Sequence, residues 1–360
     1  MKKILIVGAF PSKDSNIIGG QITACKNLFP KDLYNEKFTI RFDTTQKSNP
    51  PPNILKRLIF ASYRFPLYLK EVIFTNPNCV IILITSGTSF IEKSFYVLIA
   101  KLLSKKTIVM PRSDLIIDQI KKRIIFKIIF KILVNFTDYF IFQSDSFLNE
   151  FPTLKNNNYE IIPNCINLKN KNLDIKKSIV KENLTLLYVG WLEPVKNISL
   201  LIESAKYLKE LIPNKNIILE IVGNGTEYNN LINKCNESNL NYKFYGWIND
   251  KKTLKKIYLN ASFLCLTSRT EGFPNVVLEA MSFGLPIIST KVGALPYWLE
   301  EGRNILFSKE GDSIGFTKNI CKIYNDENLY KFISQNNIID INTKFNCKYI
   351  AEKIRNIILK

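Results

Sequence analysis

The sequence predicts an α/β protein of two β/α/β lobes, on three observations. The chain has 360 residues, more than one typical domain holds and enough for two full cores. Short apolar runs alternate with longer segments of helical spacing as far as about residue 310, the rhythm of parallel sheets with crossover helices. Residues 168–183 are polar, lysine-rich and free of aromatic side chains, as a connection between lobes would be.

Five runs in the first lobe predict strands: 3–9, 79–84, 107–110, 139–143 and 159–162. Six more follow the connection, at 184–189, 217–222, 242–245, 262–267, 286–289 and 304–307. Each is rich in Ile, Val, Leu, Phe and Tyr and short enough for a strand rather than a helix. The predicted organisation is a first lobe over 1–167, a linker over 168–183, and a second lobe over 184–340. In the closing segment, 341–360, Tyr349, Ile350, Ile354, Ile357 and Ile358 fall at helical spacing, which predicts a last helix packing back on the first lobe.

Composition removes several classes of function. A hydrophobic content of 46% excludes a disordered chain. The seven cysteines (Cys25, Cys79, Cys165, Cys235, Cys265, Cys321 and Cys347) are scattered and odd in number, which fits reduced thiols and neither a disulfide framework nor a zinc site. The chain has no histidine, so imidazole bases, Ser-His-Asp catalysis and His-bound metals are excluded. The apolar run that follows Met1 is too short for an export signal, and a cytoplasmic location is expected. No DxD pair offers a metal–diphosphate bridge, so no cofactor or metal is expected.

The segment carrying the most chemistry begins at Ser268 and Arg269 and continues through Glu271, Gly272, Phe273, Pro274, Asn275, Val276 and Glu279 to Gly284 and Pro286. A predicted strand ends, a glycine turn follows, and Pro274 stands where a helix starts. Open α/β sheets bind ligands at this edge. Backbone amides of Phe273, Pro274's successor Asn275, and Val276 would face an anion such as a diphosphate. Glu279, about one turn further in, could accept bonds from ribose hydroxyls, while Glu271 faces the space of a sugar. The alternative is two ordinary exposed glutamates, which does not explain why the turn, helix start and carboxylates coincide.

Spacing and neighbours of Glu271 and Glu279 resemble the EX7E motif of family 4 glycosyltransferases, retaining enzymes of the two-domain GT-B fold with Rossmann-like lobes. Other matches extend the resemblance over most of the chain. Gly19 and Gly20 resemble the family's N-terminal glycine pair against the donor phosphates. Ile162, Pro163 and Asn164 resemble its IPNG element, with Cys165 replacing the glycine. Gly223 and Gly225 resemble its nucleotide-side turn. Gly190 to Lys196 resembles its GRLxxxKG loop, in which an arginine and a lysine clamp the diphosphate; Lys196 matches, and Trp191 stands in the arginine's place. Arg112 and Arg269 are candidate compensating cations on the acceptor or phosphate side. The family histidine near the transferred sugar has no counterpart, and Ser86 and Thr88 are candidates for its place.

The resemblance implies transfer of a sugar from a nucleotide-diphosphate donor, with a UDP-sugar preferred over a GDP-sugar, to a glycan or polyprenyl-diphosphate-linked acceptor in surface-polysaccharide synthesis. Glu271 and Lys196 would be catalytic. A phosphorylase or epimerase of the same shape is the alternative. A nicotinamide dehydrogenase fails because Gly8 opens no GxGxxG.

The net charge of +19 invites a nucleic-acid partner, but no zinc-finger, RNP or KH signature is present, and no nucleic acid is expected. Basic residues instead interleave with long aliphatics in two segments. Over 119–136, Arg123, Lys127 and Lys131 would form one stripe of a single helix; over 53–74, Lys56, Arg57, Arg64 and Lys70 mix with aromatics. These suit an anionic membrane surface, or else buried helices with snorkelling lysines.

Overall fold

A computed structural model of the chain describes residues 2–10, 19–31, 34–35, 37–45, 53–168 and 183–360. It divides into one compact unit of Met1–Asn167 with Cys347–Lys360, and a second of Leu168–Asn346.

In the first unit, β1 (Ile4–Gly8), β2 (Thr39–Asp43), β3 (Cys79–Ile84), β4 (Lys106–Pro111), β5 (Tyr139–Phe142) and β6 (Tyr159–Ile161) form a parallel sheet ordered β2-β1-β3-β4-β5-β6. Its helices are α1 (Gly20–Leu28), α2 (Ile54–Thr75), α3 (Thr88–Leu102), α4 (Leu115–Lys122), α5 (Ile124–Phe136) and α6 (Ser146–Glu150). Alternation along the strands sorts the core into two layers. Leu5, Val7, Val80 and Ile82 face one cluster with Tyr68, Tyr96 and Phe126. Ile4, Ile6, Cys79 and Ile81 face the other, with Ile22 and Leu28.

In the second unit, β7 (Asn183–Val189), β8 (Asn216–Val222), β9 (Asn241–Gly246), β10 (Phe263–Leu266), β11 (Ile287–Thr290) and β12 (Ile305–Ser308) form a parallel sheet ordered β12-β11-β10-β7-β8-β9. Around it run α7 (Ile198–Leu211), α8 (Tyr228–Glu237), α9 (Lys251–Asn260), α10 (Asn275–Met281), α11 (Leu295–Trp298), α12 (Ser313–Asn325) and α13 (Glu327–Thr343). The chain then returns: α14 (Cys347–Leu359) buries Ile350, Ile354, Ile357 and Ile358 in the first unit's second core layer. The predicted closing segment began at residue 341, but 341–346 go with the second unit. The predicted linker, apart from Leu168 and Asn183, lies outside the described residues.

The eleven predicted strands are present, and β2 is an additional one. It lies at the sheet edge and only partly buries Ile40 and Phe42 between polar neighbours, so it lacks the continuous apolar run that marks the central strands.

A correction concerns 119–136, which is not one helix. Arg123 adopts an extended conformation (φ −131°, ψ 117°) between α4 and α5. The reason lies in phase. Ile116, Ile117 and Ile120 are buried on α4, and an unbroken helix at 3.6 residues per turn would bring Arg123, Ile124, Lys127 and Lys131 onto the same buried face. The break resets the phase, so that Phe126, Phe130 and Leu133 enter the core while Arg123, Lys127 and Lys131 stay exposed.

Neither basic segment is a buried core helix. Leu55, Ile59, Tyr63 and Phe74 on α2 and Ile124, Ile125 and Ile128 on α5 are each more than half exposed. Among the described residues no helix is long and apolar enough to cross a membrane.

Candidate functional site

At the C-terminal edge of the second sheet, the loops after β7 and β10 bring together two side chains 75 residues apart. Lys196 Nζ donates to Glu271 Oε1 at 2.7 Å, and Ser268 Oγ donates to the same oxygen at 2.6 Å. Both ionic side chains are mostly buried, at 21% and 12% exposure, so the pair is shielded far better than a surface ion pair. The backbone holds them there. Lys196 ends a short 3-10 turn, Pro194–Lys196; Arg269 N donates to Val195 O at 2.9 Å and Thr267 Oγ1 to Lys196 O at 3.0 Å.

Below this pair, α10 opens at Asn275 with Pro274 as its cap residue. Phe273 is buried and its ring packs on Phe345 at 5.5 Å, which fixes the turn. Val276 and Glu279 occupy the first turns of this short helix. Glu279 Oε2 accepts from Tyr258 Oη at 2.9 Å. Tyr258, on α9, is fully buried, and that burial, reinforced by the neighbouring carboxylate, pushes its phenol well above the ordinary value, so it acts as a donor to Glu279.

The turn Glu271–Gly272 is pinned from above by the loop after β11. Ala294 N donates to Gly272 O at 2.8 Å, and Gly293 has φ +56°. A Cβ on Gly293 would lie 2.2 Å from Gly272 O, so only glycine fits. The sequence signal, a glycine three residues past a strand, was present but carried no distinctive neighbours.

Gly223 and Gly225 have a packing reason for being glycine. A Cβ on Gly223 would lie 1.8 Å from Gly190 O, and one on Gly225 2.4 Å from Leu192 O. The loops after β7 and β8 thus close on each other, and Gly190 N donates to Val222 O at 2.9 Å. Trp191 follows directly. Its ring lies 5.3 Å from that of Trp247, tilted by 38°; sequence reasoning did not single out Trp247.

Arg269 does not join Lys196. Its side chain is 58% exposed and its guanidinium is 3.5 Å from Glu310. Gly19, Gly20 and Arg112 lie in the first unit. Gly19 caps α1 and Gly20 is its first residue. Arg112, just past β4, is bonded through Nη2 to Asn164, and burial lowers its guanidinium from the ordinary value to about 10. Two residues on, Asp114 accepts from Ser146 Oγ at 3.2 Å. Desolvation, aided by Asp118, raises its carboxyl to about 6 against the pull of Ser146. No pattern in the sequence pointed to Asp114, because its burial depends on the loop after β5. Thr88 begins α3, with Gly87 as its cap residue and Ser86 before that.

The site thus joins a lysine and a carboxylate at the C-terminal edge of a parallel sheet, with a second carboxylate on the helix that follows. Residues 170–339 match the family model Glycosyl transferases group 1. An uncharacterised glycosyltransferase of Haemophilus influenzae is 31% identical over 172 residues, 46% of this chain and 47% of that protein. The Escherichia coli UDP-Gal:alpha-D-GlcNAc-diphosphoundecaprenol alpha-1,3-galactosyltransferase is 31% identical over 201 residues, 52% of this chain and 48% of its own. The match thus spans about half the length of these curated relatives. The crystal structure of Anabaena Alr3699/HepE in complex with UDP and glucose covers both chains completely with a TM-score of 0.75 at 15% identity, a likeness of fold.

Proposed function

We propose that the protein transfers a sugar from a nucleotide-diphosphate donor, a UDP-sugar in preference to a GDP-sugar, to a glycan or lipid-linked oligosaccharide acceptor in surface-polysaccharide synthesis. The observation that carries this is the Lys196–Glu271 pair at the C-terminal edge of the second sheet, followed directly by the helix that bears Glu279. Lys196 holds the donor diphosphate beside the backbone of 273–276, Glu279 holds the ribose, and Glu271 positions the transferred sugar. A cation already fixed next to the leaving group needs no reorganisation as charge develops.

The reaction proceeds with retention and without a metal. The bond from the anomeric carbon to the diphosphate oxygen breaks, the acceptor oxygen bonds to the same face of that carbon, and the acceptor's proton passes to the departing phosphate oxygen. The chain has no histidine that could act as the base. The E. coli relative is named for a diphosphoundecaprenol acceptor, which supports a lipid-linked acceptor here.

An acceptor of that kind lives at a membrane, and the first unit has a matching surface. The exposed aliphatics of α2 and α5 stand among Lys56, Arg57, Lys70, Arg123, Lys127 and Lys131, a mixture that binds anionic bilayers peripherally. The protein therefore works on the cytoplasmic face. Co-sedimentation with liposomes should require anionic lipid; equal recovery in the supernatant with and without it removes this part.

The donor assignment is tested by thermal shift. A donor that binds only the folded state raises its melting temperature, so UDP-sugars should raise it more than GDP-sugars. No rise with any sugar nucleotide would overturn the proposal. Product analysis with and without inorganic phosphate separates transfer from phosphorolysis.

A further inference from the structure

Two consecutive hydroxyls hold the members of the ion pair, one each. Thr267 and Ser268 follow β10 directly and are completely buried. Thr267 Oγ1 donates to the Lys196 carbonyl at 3.0 Å, and Ser268 Oγ donates to Glu271 Oε1 at 2.6 Å. Ser268 is itself held from the neighbouring strand, because Thr290 Oγ1, at the end of β11, donates to the Ser268 carbonyl at 2.6 Å. A buried hydroxyl costs free energy unless it is bonded, and a carboxylate is a stronger acceptor than a neutral group.

The two donors on Glu271 Oε1 differ in kind. The Lys196 ammonium, 2.7 Å away, is a compact charge with rotatable N–H groups, and alone it could pair with either carboxylate oxygen. The serine hydroxyl sits on a fixed strand end and reaches one oxygen from one direction. Among the described residues Oε2 accepts no hydrogen bond. Ser268 therefore selects which oxygen is held and which is left to a ligand.

A donor changes the balance between these two contacts. A diphosphate at Lys196 competes with Glu271 for the ammonium, so the ion pair no longer fixes the carboxylate by itself. The serine bond has no such competitor. We propose that Ser268 is a positioning residue for sugar transfer: it holds Glu271 by Oε1 while Oε2 faces a hydroxyl of the transferred sugar, and Thr267 positions Lys196 through its backbone. This rests on the roles of Lys196 and Glu271 given above and adds what keeps the carboxylate in place once the lysine is drawn to the diphosphate.

The test sets two measurements on the full chain against each other. UDP lacks the transferred sugar, so its affinity by calorimetry reads the diphosphate side alone. The sugar side is read by the rate of UDP release at saturating donor, with water as acceptor, from whichever of UDP-glucose, UDP-galactose and UDP-N-acetylglucosamine raises the melting temperature most. Ser268→Ala should lower that rate by about tenfold, the worth of one bond to a charged group, and leave UDP affinity unchanged. Ser268→Thr keeps the hydroxyl and should recover most of the rate. Ser268→Cys has a weaker donor and should fall between, which preserves the comparison if the alanine variant does not fold by circular dichroism. Thr267→Val should instead weaken UDP binding by about fivefold, as the loss of a neutral hydrogen bond would. A parental rate in folded Ser268→Ala, an equal loss of rate and UDP affinity, or a threonine variant no better than alanine would overturn the role of Ser268 while leaving the donor assignment intact. Unchanged UDP binding in Thr267→Val would remove Thr267. Failure of the parent to bind any nucleotide, by calorimetry and by thermal shift, would overturn the donor assignment as well.

Discussion

Lys196 and Glu271 form a 2.7 Å ion pair across the ends of β7 and β10. The lysine proposed to meet the diphosphate and the carboxylate proposed to meet the sugar are thus neighbours before any donor arrives. Each fixes the other's rotamer, which reduces the ordering a donor must impose. Lys196→Ala should therefore lower kcat by about 100-fold. Glu271→Gln, which keeps a hydrogen-bond acceptor but not the charge, should lower kcat with a smaller change in donor KM. Steady-state transfer kinetics decide: a loss confined to KM in Lys196→Ala would show that the lysine only binds.

The Tyr258 bond to Glu279 gives the ribose assignment an internal control. The phenol holds the carboxylate from below, so Tyr258→Phe should raise donor KM by about fivefold through one lost bond to a charged group. Glu279→Ala should raise it further, with acceptor KM unmoved. In a double-mutant cycle the tyrosine change should add nothing once Glu279 is alanine. Additive effects would mean that Tyr258 acts through the core, where it stacks on Phe283.

These residues differ in how far the sequence disclosed them. Glu271, Pro274 and Glu279 share one local segment, so spacing alone brought them to one turn and helix. The central strands, buried on both faces, were equally legible as continuous apolar runs. Tyr258 and Trp247 were not, because what recruits them is the packing of elements around the sheet, ordered β10-β7-β8-β9, which no local pattern encodes. The break at Arg123 was hidden for a related reason. Its neighbours all have helical spacing, and only the buried positions of α4 and α5 together show that one helix cannot satisfy both. Trp191, which stands where the family resemblance leads one to expect an arginine, meets another ring rather than a charge.

Gly293 should tolerate no side chain. In Gly293→Ala the new methyl would meet Gly272 O at 2.2 Å, on a backbone at φ +56°, and strain of this kind costs about 1–3 kcal/mol. Relief has to come from moving the Glu271–Gly272 turn, so activity should fall by more than the loss of stability explains. Transfer assays and chemical denaturation on the same preparation compare the two. A normal kcat in a destabilised but folded variant would separate Gly293 from the site.

Asp114 should impose a pH dependence on stability that runs opposite to the usual carboxylate. Burial raises its folded value to about 6 from 3.8, so the fold favours the protonated form. Stability on this account is highest below pH 3.8, declines between there and about pH 6, and stays lower above it. The upper limit of the effect is about 3 kcal/mol, at 1.36 kcal/mol per unit. Asp114→Asn keeps an oxygen to accept from Ser146 and carries no charge. It should therefore be more stable than the parent at pH 7.5 and nearly equal to it at pH 4. Urea denaturation at both values measures this: a stabilisation of the same size at pH 4 would show that the carboxylate's ionisation is not the cause.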